Sequence, residues 1–340
     1  MSSPMPDNNP TRGETLLNKS GIFASVLLTS TLALMSSLPA ANAGEYPDKP
    51  IRIIVPFTPG GSTDILARMI AQKLTEAWGQ QVIADNRPGA NGVVAAEITS
   101  KSNPDGHTLM FVAIGHAINP LLQKNLPYDA DKAFTAVSLT AVLPQIIAVK
   151  PALKAATMRE LIALAKTQSL NYATGGIGSS QHLATELLAH MAKIKLNHIP
   201  YKGGNQGLLD VVAGHVDMTM TTALTVLPHA KNGRVRALAV STGKRLDVAP
   251  DVPTVAESGV PGYESVAWYG MVAPAGIPPA VLNKLSAETI KATHSSDMKN
   301  ALTRQGAIPV GNTAKEFTAF IKSEQTKYAK VIKEAGIKAE

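Results

Sequence analysis

Short β-branched runs, each closed by a turn and followed by a helical stretch, recur down this chain. That alternation constrains its fold more than any other feature. Residues 51–57 (IRIIVPF) read as a strand running into TPGGST, and a helix follows over 62–78. Residues 81–86 give a second strand ended by NRPGANG, then a helix over 93–101, an NPDG turn and a strand over 108–113. The rhythm resumes after Pro151. Thr157 caps a helix to about Lys166, a strand at 171–173 enters TGGIGSS, and a helix spans 180–193. A strand at 198–201, a helix at 206–212 and strands at 216–221 and 237–240 follow; helices at 279–291, 297–305 and 313–333 end the chain. Strand and helix in alternation predict an α/β protein whose strands are parallel and joined by crossover helices.

Two apolar extended segments stand apart from this rhythm. Residues 137–150 (VSLTAVLPQIIAVK) and 265–274 (SVAWYGMVAP) are each long enough to pass from one lobe to another. They predict a first lobe of residues 44–145 plus 266–340 and a second lobe of 146–265. A sequential split near residue 150 is the alternative.

Residues 1–43 are expected to be a signal peptide, not part of the fold. An apolar run over 21–38 follows Lys19 and precedes Ala41-Asn42-Ala43, a small-residue cleavage pattern. Export to the periplasm is the expectation, with the mature protein beginning near residue 44. The chain has no cysteine, so disulfides, thiolate metal sites and lipidation of an N-terminal Cys are excluded. The formal charge of +7 is compatible with an anionic partner. Its Lys and Arg are scattered and aromatics make up only 4% of residues, which argues against nucleic acid.

The chemistry is concentrated where strands end. Pro59-Gly60-Gly61-Ser62-Thr63-Asp64, Gly175-Gly176-Ile177-Gly178-Ser179-Ser180 and Gly203-Gly204-Asn205-Gln206 each lead from a strand into a helix. A helix N-terminus carries about half a positive charge and several unpaired N–H groups. Glycines admit a ligand to that backbone, and Ser and Thr hydroxyls add donors. In α/β sheets such loops gather at the carboxyl ends of the strands, so three together predict a site for an anion of carboxylate size. Asp64 either stabilises its own helix terminus or bonds an ammonium or hydroxyl of the ligand. Trp268 and Tyr269 lie on the second crossing segment and are expected to wall the cleft, with Trp268 named as a ligand contact.

Enzyme motifs fail. A nucleophile elbow, a phosphate-binding P-loop and a zinc-protease helix are all missing. Gln181 replaces the third glycine of a dinucleotide fingerprint. A hydrolase using Ser179 or Ser180 with His182 remains an alternative, although residues 180 and 182 do not share a helix face. The other histidines lack metal spacing. No cofactor, metal or catalytic residue is expected.

In order along the chain stand VPFTPGGSTDILAR (55–68), NRPGANG (86–92), PDGHTL (104–109), GSSQHLATELL (178–188), IPYKGG (199–204), DVPTVAESGVPGY (251–263) and WYGMVAPAGIP (268–278). Together they resemble the substrate-binding proteins of tripartite tricarboxylate transporters, the Bug or TctC-like family of periplasmic receptors. The resemblance implies a two-lobe periplasmic-binding-protein fold of Venus-flytrap, type II-like form with two crossing segments. It implies a small carboxylate ligand (a di- or tricarboxylate, an acidic amino acid or an aromatic carboxylate), one large and one small permease subunit as partners, and a monomer. A receptor that feeds a sensor kinase is the variant reading. Matched to the family, Phe57, Thr58, Gly60, Gly61, Ser62 and Asp64 form the first ligand loop. Gly176, Ser179, Ser180 and His182 form the second, with Thr221 and Thr222 at another strand end; Gly204 and Asn205, from the third glycine-rich loop, are expected to bind ligand beside them. Asn91 stands where the family commonly has glycine, and asparagine tolerates the left-handed backbone such a turn needs.

Overall fold

The computed structural model describes residues 46–304, 306–335 and 337; the expected signal peptide lies outside them. In chain order the elements are β1 (Ile51–Val55), α1 (Ser62–Trp78), β2 (Val82–Asn86), a 3-10 turn (Ala90–Gly92), α2 (Val93–Ser100), β3 (Thr108–Ala113), α3 (Gly115–Leu122) and β4 (Phe134–Val149). Then come α4 (Met158–Ala165), β5 (Leu170–Thr174), α5 (Ser180–Ala192), β6 (Leu196–Pro200), α6 (Gly204–Ala213), β7 (Met218–Thr222), α7 (Ala223–Lys231) and β8 (Arg236–Val240). The chain ends with β9 (Val266–Pro274), α8 (Pro279–His294), α9 (Ser296–Thr303), β10 (Ile308–Pro309) and α10 (Ala314–Ala335).

Local chemistry explains the elements. Leu66, Ala67, Ile70, Ala71 and Leu74 form one buried stripe on α1 at helical spacing. They pack with Ile51, Ile53 and Val55 of β1, whose apolar residues are buried on both faces as a central parallel strand requires. Gly79 stops α1 in a left-handed conformation, its N–H returned to the Thr75 carbonyl. At the start of α4 the Thr157 hydroxyl accepts from Glu160 N, and the Glu160 carboxylate accepts from Ala156 N, a reciprocal cap.

Two lobes meet along one long strand. β1 pairs in parallel with β2 and β3, and β5 pairs in parallel with β6 and β7. These parallel cores are joined by antiparallel strands, which the expectation of an all-parallel sheet had not included. β4 pairs with β9 from Phe134 to Pro144, then leaves it and pairs with β7 and β8 from Gln145 onward. The β4 strand therefore pairs with β9 up to Pro144 and with β7 and β8 beyond it, which carries it from one sheet into the other. β9 does not cross: it lies wholly against β3 and β4 of the first lobe, and the return passage occurs just before it, at Ser265.

A buried hydrogen-bond joint ties the two passages together. Gln145 N donates to Ser241 Oγ at 2.9 Å, Ser241 N to the Gln145 carbonyl at 2.9 Å, and Ser265 N to the Ser241 carbonyl at 2.9 Å. The Ser241 hydroxyl also donates to the Ser265 carbonyl at 2.5 Å. Ser241 and Gln145 are fully buried, so no water can replace a lost partner. Ser241→Ala is expected to lower the free energy of unfolding by about 1–3 kcal/mol, the cost of a stranded buried donor and acceptor. Denaturant unfolding of the variant against the parent checks this.

Candidate functional site

A narrow slot lies where the carboxyl ends of the parallel strands of both lobes meet. It encloses about 470 Å³ of space between atoms, mouth included. The chain after β1 supplies Phe57, Thr58, Gly61, Ser62 and Thr63, and the end of β3 with the chain after it supplies Ala113, Ile114 and Gly115. From the second lobe come Ser179, Ser180 and Gln181, then Gly204 and Asn205, then Thr221 and Thr225. Asn91 and Tyr269 complete the wall.

No lining side chain is charged, yet the slot is electropositive by construction. First-turn or capping residues of five helices line it: Ser62 of α1, Gly115 of α3, Ser180 of α5, Gly204 of α6 and Thr225 of α7. Each terminus contributes about half a positive charge and unpaired N–H donors. Hydrogen bonds to an anion are worth about 1.5–3 kcal/mol each. A carboxylate can therefore be held without Arg or Lys, by groups that need no reorganisation.

Glycine sets how closely the lobes approach. A Cβ on Gly203 would stand 2.3 Å from Thr58 Oγ1 across the cleft, and one on Gly204 would stand 1.8 Å from Gln181 Nε2. Gln181 uses that space to brace the site. Its Oε1 accepts from Gly175 N at 2.8 Å and its Nε2 donates to Thr221 Oγ1 at 2.9 Å. The hydroxyls of Ser62 and Thr222 bond directly, first lobe to second. Asn205 Nδ2 donates to the Pro59 carbonyl at 3.4 Å, a second bridge.

Several expected contacts lie elsewhere. Trp268 does not wall the slot. It is fully buried, donates Nε1–H to Glu324 at 3.0 Å and packs edge-on to Phe317 and Phe320. Successive strand residues face opposite ways, so its neighbour Tyr269 reaches the slot instead. Asp64 is a loop strut, not a lining group: it accepts from Gly60 N at 3.0 Å, Asn86 Nδ2 at 2.9 Å and Arg68 Nε at 3.0 Å. Burial alone would raise its pKa, but the bonds from Arg68, Gly60 and Asn86 outweigh this and hold the carboxyl below its usual range. Gly60 belongs to that strut and lines no part of the slot. Gly176 faces the outer mouth of the cleft with Lys124, Tyr201 and Lys202. Thr222 is spent on the bridge to Ser62.

His182 is also withdrawn from the slot. Its Nδ1 accepts from Gly178 N at 3.2 Å, and its ring stacks on His198 at 4.3 Å between centroids. Neither serine hydroxyl is hydrogen-bonded to the ring among the described residues; Ser179 Oγ accepts from His182 N as a helix cap. The geometry thus lacks the nucleophile–base bond a hydrolase needs. No three acidic or histidine side chains converge as metal ligands among the described residues. Gln181, Thr63, Thr225, Gly115 and Asn91 were not foreseen as site residues. Only the position of Gln181 and Thr63 inside the glycine-rich loops could have marked them.

Burial lowers the His182 pKa to about 3, helped by neighbouring His198, whose own pKa burial lowers to about 4. Folded values below the ordinary value of about 6.5 mean that the stack stabilises the fold fully above that pH. The contribution is lost progressively as pH falls toward 3–4, because the unfolded chain takes up protons first. The melting temperature is expected to be flat above about pH 7 and to fall below it. His198→Phe should reduce that slope between pH 6.5 and 4, as read by thermal melts across the range.

Residues 66–337 match the sequence model described as the tripartite tricarboxylate transporter family receptor. Protein BugT of Bordetella pertussis is 35% identical over 87% of this chain and 92% of its own length. Two solved structures superpose closely. Rpa4515 of R. palustris, solved with adipate, gives a TM-score of 0.85 at 34% identity, covering 87% of this chain and all of the other. MatC of Rhodopseudomonas palustris, solved with bound malate, gives 0.79 at 30% identity, covering 84% of this chain and all of the other. Fold, slot and sequence agree, and this chain belongs to the tripartite tricarboxylate transporter receptor family.

Proposed function

We propose that this protein is a periplasmic receptor that captures one small organic acid between its lobes, holding a carboxylate on helix amides. The observation that carries the reading is a slot reached by five helix N-termini and lined by no charged side chain. The adipate and malate of the two related structures favour the same ligand class. Residues 44–145 with 266–340 and residues 146–265 move as two bodies about the Gln145–Ser241–Ser265 joint. A ligand that touches both stabilises the closed state by that difference. Phe57, Thr58, Gly61, Ser62, Ser179, Ser180, Gly204, Asn205 and Thr221 contact it, with Tyr269 in the role expected of Trp268. The loaded monomer delivers its ligand to permease subunits, one large and one small, and catalyses nothing. Residues 1–43 direct export and are removed.

The test is binding without turnover. Thermal melts and calorimetry of residues 44–340 against small carboxylates, amino acids and neutral sugars should show stabilisation by carboxylates alone. Ligand at 100 times Kd adds about 2.7 kcal/mol, and no product should form. Ser180→Asp sharpens the test, because a carboxylate in the first turn suits the helix but occupies the anion's place. This variant should melt no lower than the parent and lose at least about tenfold in affinity, about 1.4 kcal/mol. Stabilisation only by sugars, consumption of the ligand, or unchanged affinity in Ser180→Asp would overturn the reading.

A further inference from the structure

Outside the slot the two lobes enclose a second, larger space. It holds about 2360 Å³ between atoms, open mouth included, against about 470 Å³ for the slot. The first lobe supplies the turn at residues 89–91 and the end of α3 with the chain after it, residues 122–125. The second lobe supplies Gly176 and Ile177, then residues 200–202 and Gln206. A seam divides the two spaces. Asn91 lines both, and Gly178 stands in the chain between Ile177 of the chamber and Ser179 of the slot. A Cβ on Gly178 would stand 2.9 Å from Leu122 Cδ1 and 3.0 Å from Asn91 Nδ2, so the lobes touch here. The chamber keeps both its walls only while that seam is shut.

The chemistry of this chamber differs from that of the slot. Lys124 stands on its first-lobe wall and Lys202 on its second-lobe wall, both exposed. Neither ammonium is ion-paired or hydrogen-bonded among the described residues, and no Asp or Glu lines the chamber. Two cations brought to one groove without an acid to neutralise them favour a partner that carries carboxylates. Apolar groups accompany them. Five large apolar side chains are exposed among the described residues, and three stand beside lining residues. Val94 lies against Gly89, Leu121 is next to Leu122 in α3, and Leu209 is one helical turn beyond Gln206 in α6. Apolar side chains left in water beside a groove mark an interaction site. The space exceeds the roughly 300–1,000 Å³ of small-molecule pockets and suits a polypeptide segment. A flat lipid surface does not reach the lining of a concave chamber.

We propose that this chamber docks an acidic, partly apolar segment of the membrane partner, whose carboxylates pair with Lys124 and Lys202 and whose binding requires the lobes to be closed. This rests on the receptor reading and names the surface by which a loaded receptor is told from an empty one. By linkage, a partner held by both walls tightens the ligand in the slot by the same factor as the ligand tightens the partner.

A capped peptide of sequence ELEELE stands in for the segment, added to isotope-labelled residues 44–340 and followed through backbone amide shifts. Shifts should concentrate at residues 122–125, 176–177 and 200–202. Lys124→Glu and Lys202→Glu should each weaken the peptide at least about tenfold. Lys322→Glu, the same change of charge at an exposed position of α10, should weaken it no more than about twofold. Neither chamber lysine lines the slot, so both chamber variants should keep, within about threefold, their affinity for the carboxylates that stabilise the parent. With such a carboxylate at saturation, the peptide should bind at least about threefold tighter than without it. Shifts spread over exposed lysines, equal weakening by Lys322→Glu, or binding of phosphatidylglycerol vesicles in place of the peptide would overturn the inference. Competition between peptide and carboxylate, or peptide affinity indifferent to the carboxylate, would overturn it too. Absence of peptide binding while carboxylates still bind sinks the docking surface alone. Failure of every carboxylate to bind would instead sink the receptor reading itself.

Discussion

An anion taken from water into a protein must be met by donors already in place, or the cost of stripping its hydration defeats binding. In this molecule those donors are backbone amides at helix starts, and the rest of the architecture serves to bring them together. A helix start can face the slot only if its strand ends there, so β1, β3, β5, β6 and β7 all discharge their chains at the same place. Parallel pairing within each lobe achieves this for three or fewer helices at a time. Sharing β4 between the lobes sets the two groups face to face. Leaving Arg and Lys out has a consequence for release. Amides without a net charge hold a carboxylate firmly when the lobes enclose it and far less when water returns.

Closure depends on how near two backbones can come. Gly203 has no side chain where one would strike Thr58 of the other lobe, and the bridges Ser62–Thr222 and Asn205–Pro59 then span the gap. The hinge is the opposite kind of structure. Gln145, Ser241 and Ser265 are buried, each bonded to another of the three, so the two passages are held to one another. On the proposed reading, this joint and the bridges across the rim separate an open from a closed state whose balance the ligand shifts.

Much of this was legible in the chain. The alternation of strands and helices, the glycine-rich turns and the Ser/Thr caps follow from residue chemistry acting over a few positions, and α1, α5 and α6 start where those signals stand. Helices α3 and α7 did not announce themselves, because Pro120 and Pro228 lie inside them and read as breakers. They persist because Ala117 and Ile118, and Val226 and Leu227, are buried in the lobe cores. Packing outweighed local propensity, and two of the five anion-binding termini were hidden by it. On β9 the period of two placed Trp268 and Tyr269 on opposite faces, but which face met the slot depended on α10, whose Glu324 and Phe317 claim the indole.

The sequence by itself therefore determined the α/β class, the family and the anion-binding character of the loops, since each rests on local patterns of backbone freedom and capping. Only the tertiary structure decided which polar atoms are spent on the protein and which remain for a ligand. Asp64, His182 and Thr222 read as contacts, yet their partners turn out to be Gly60 and Arg68, Gly178 and His198, and Ser62. Asn91 read as a turn residue, yet its side chain is buried and bonded to Asn119, with its own oxygen left unpartnered. Hydrogen-bond satisfaction is a property of the closed three-dimensional arrangement, because a side chain's partner can lie more than a hundred residues away.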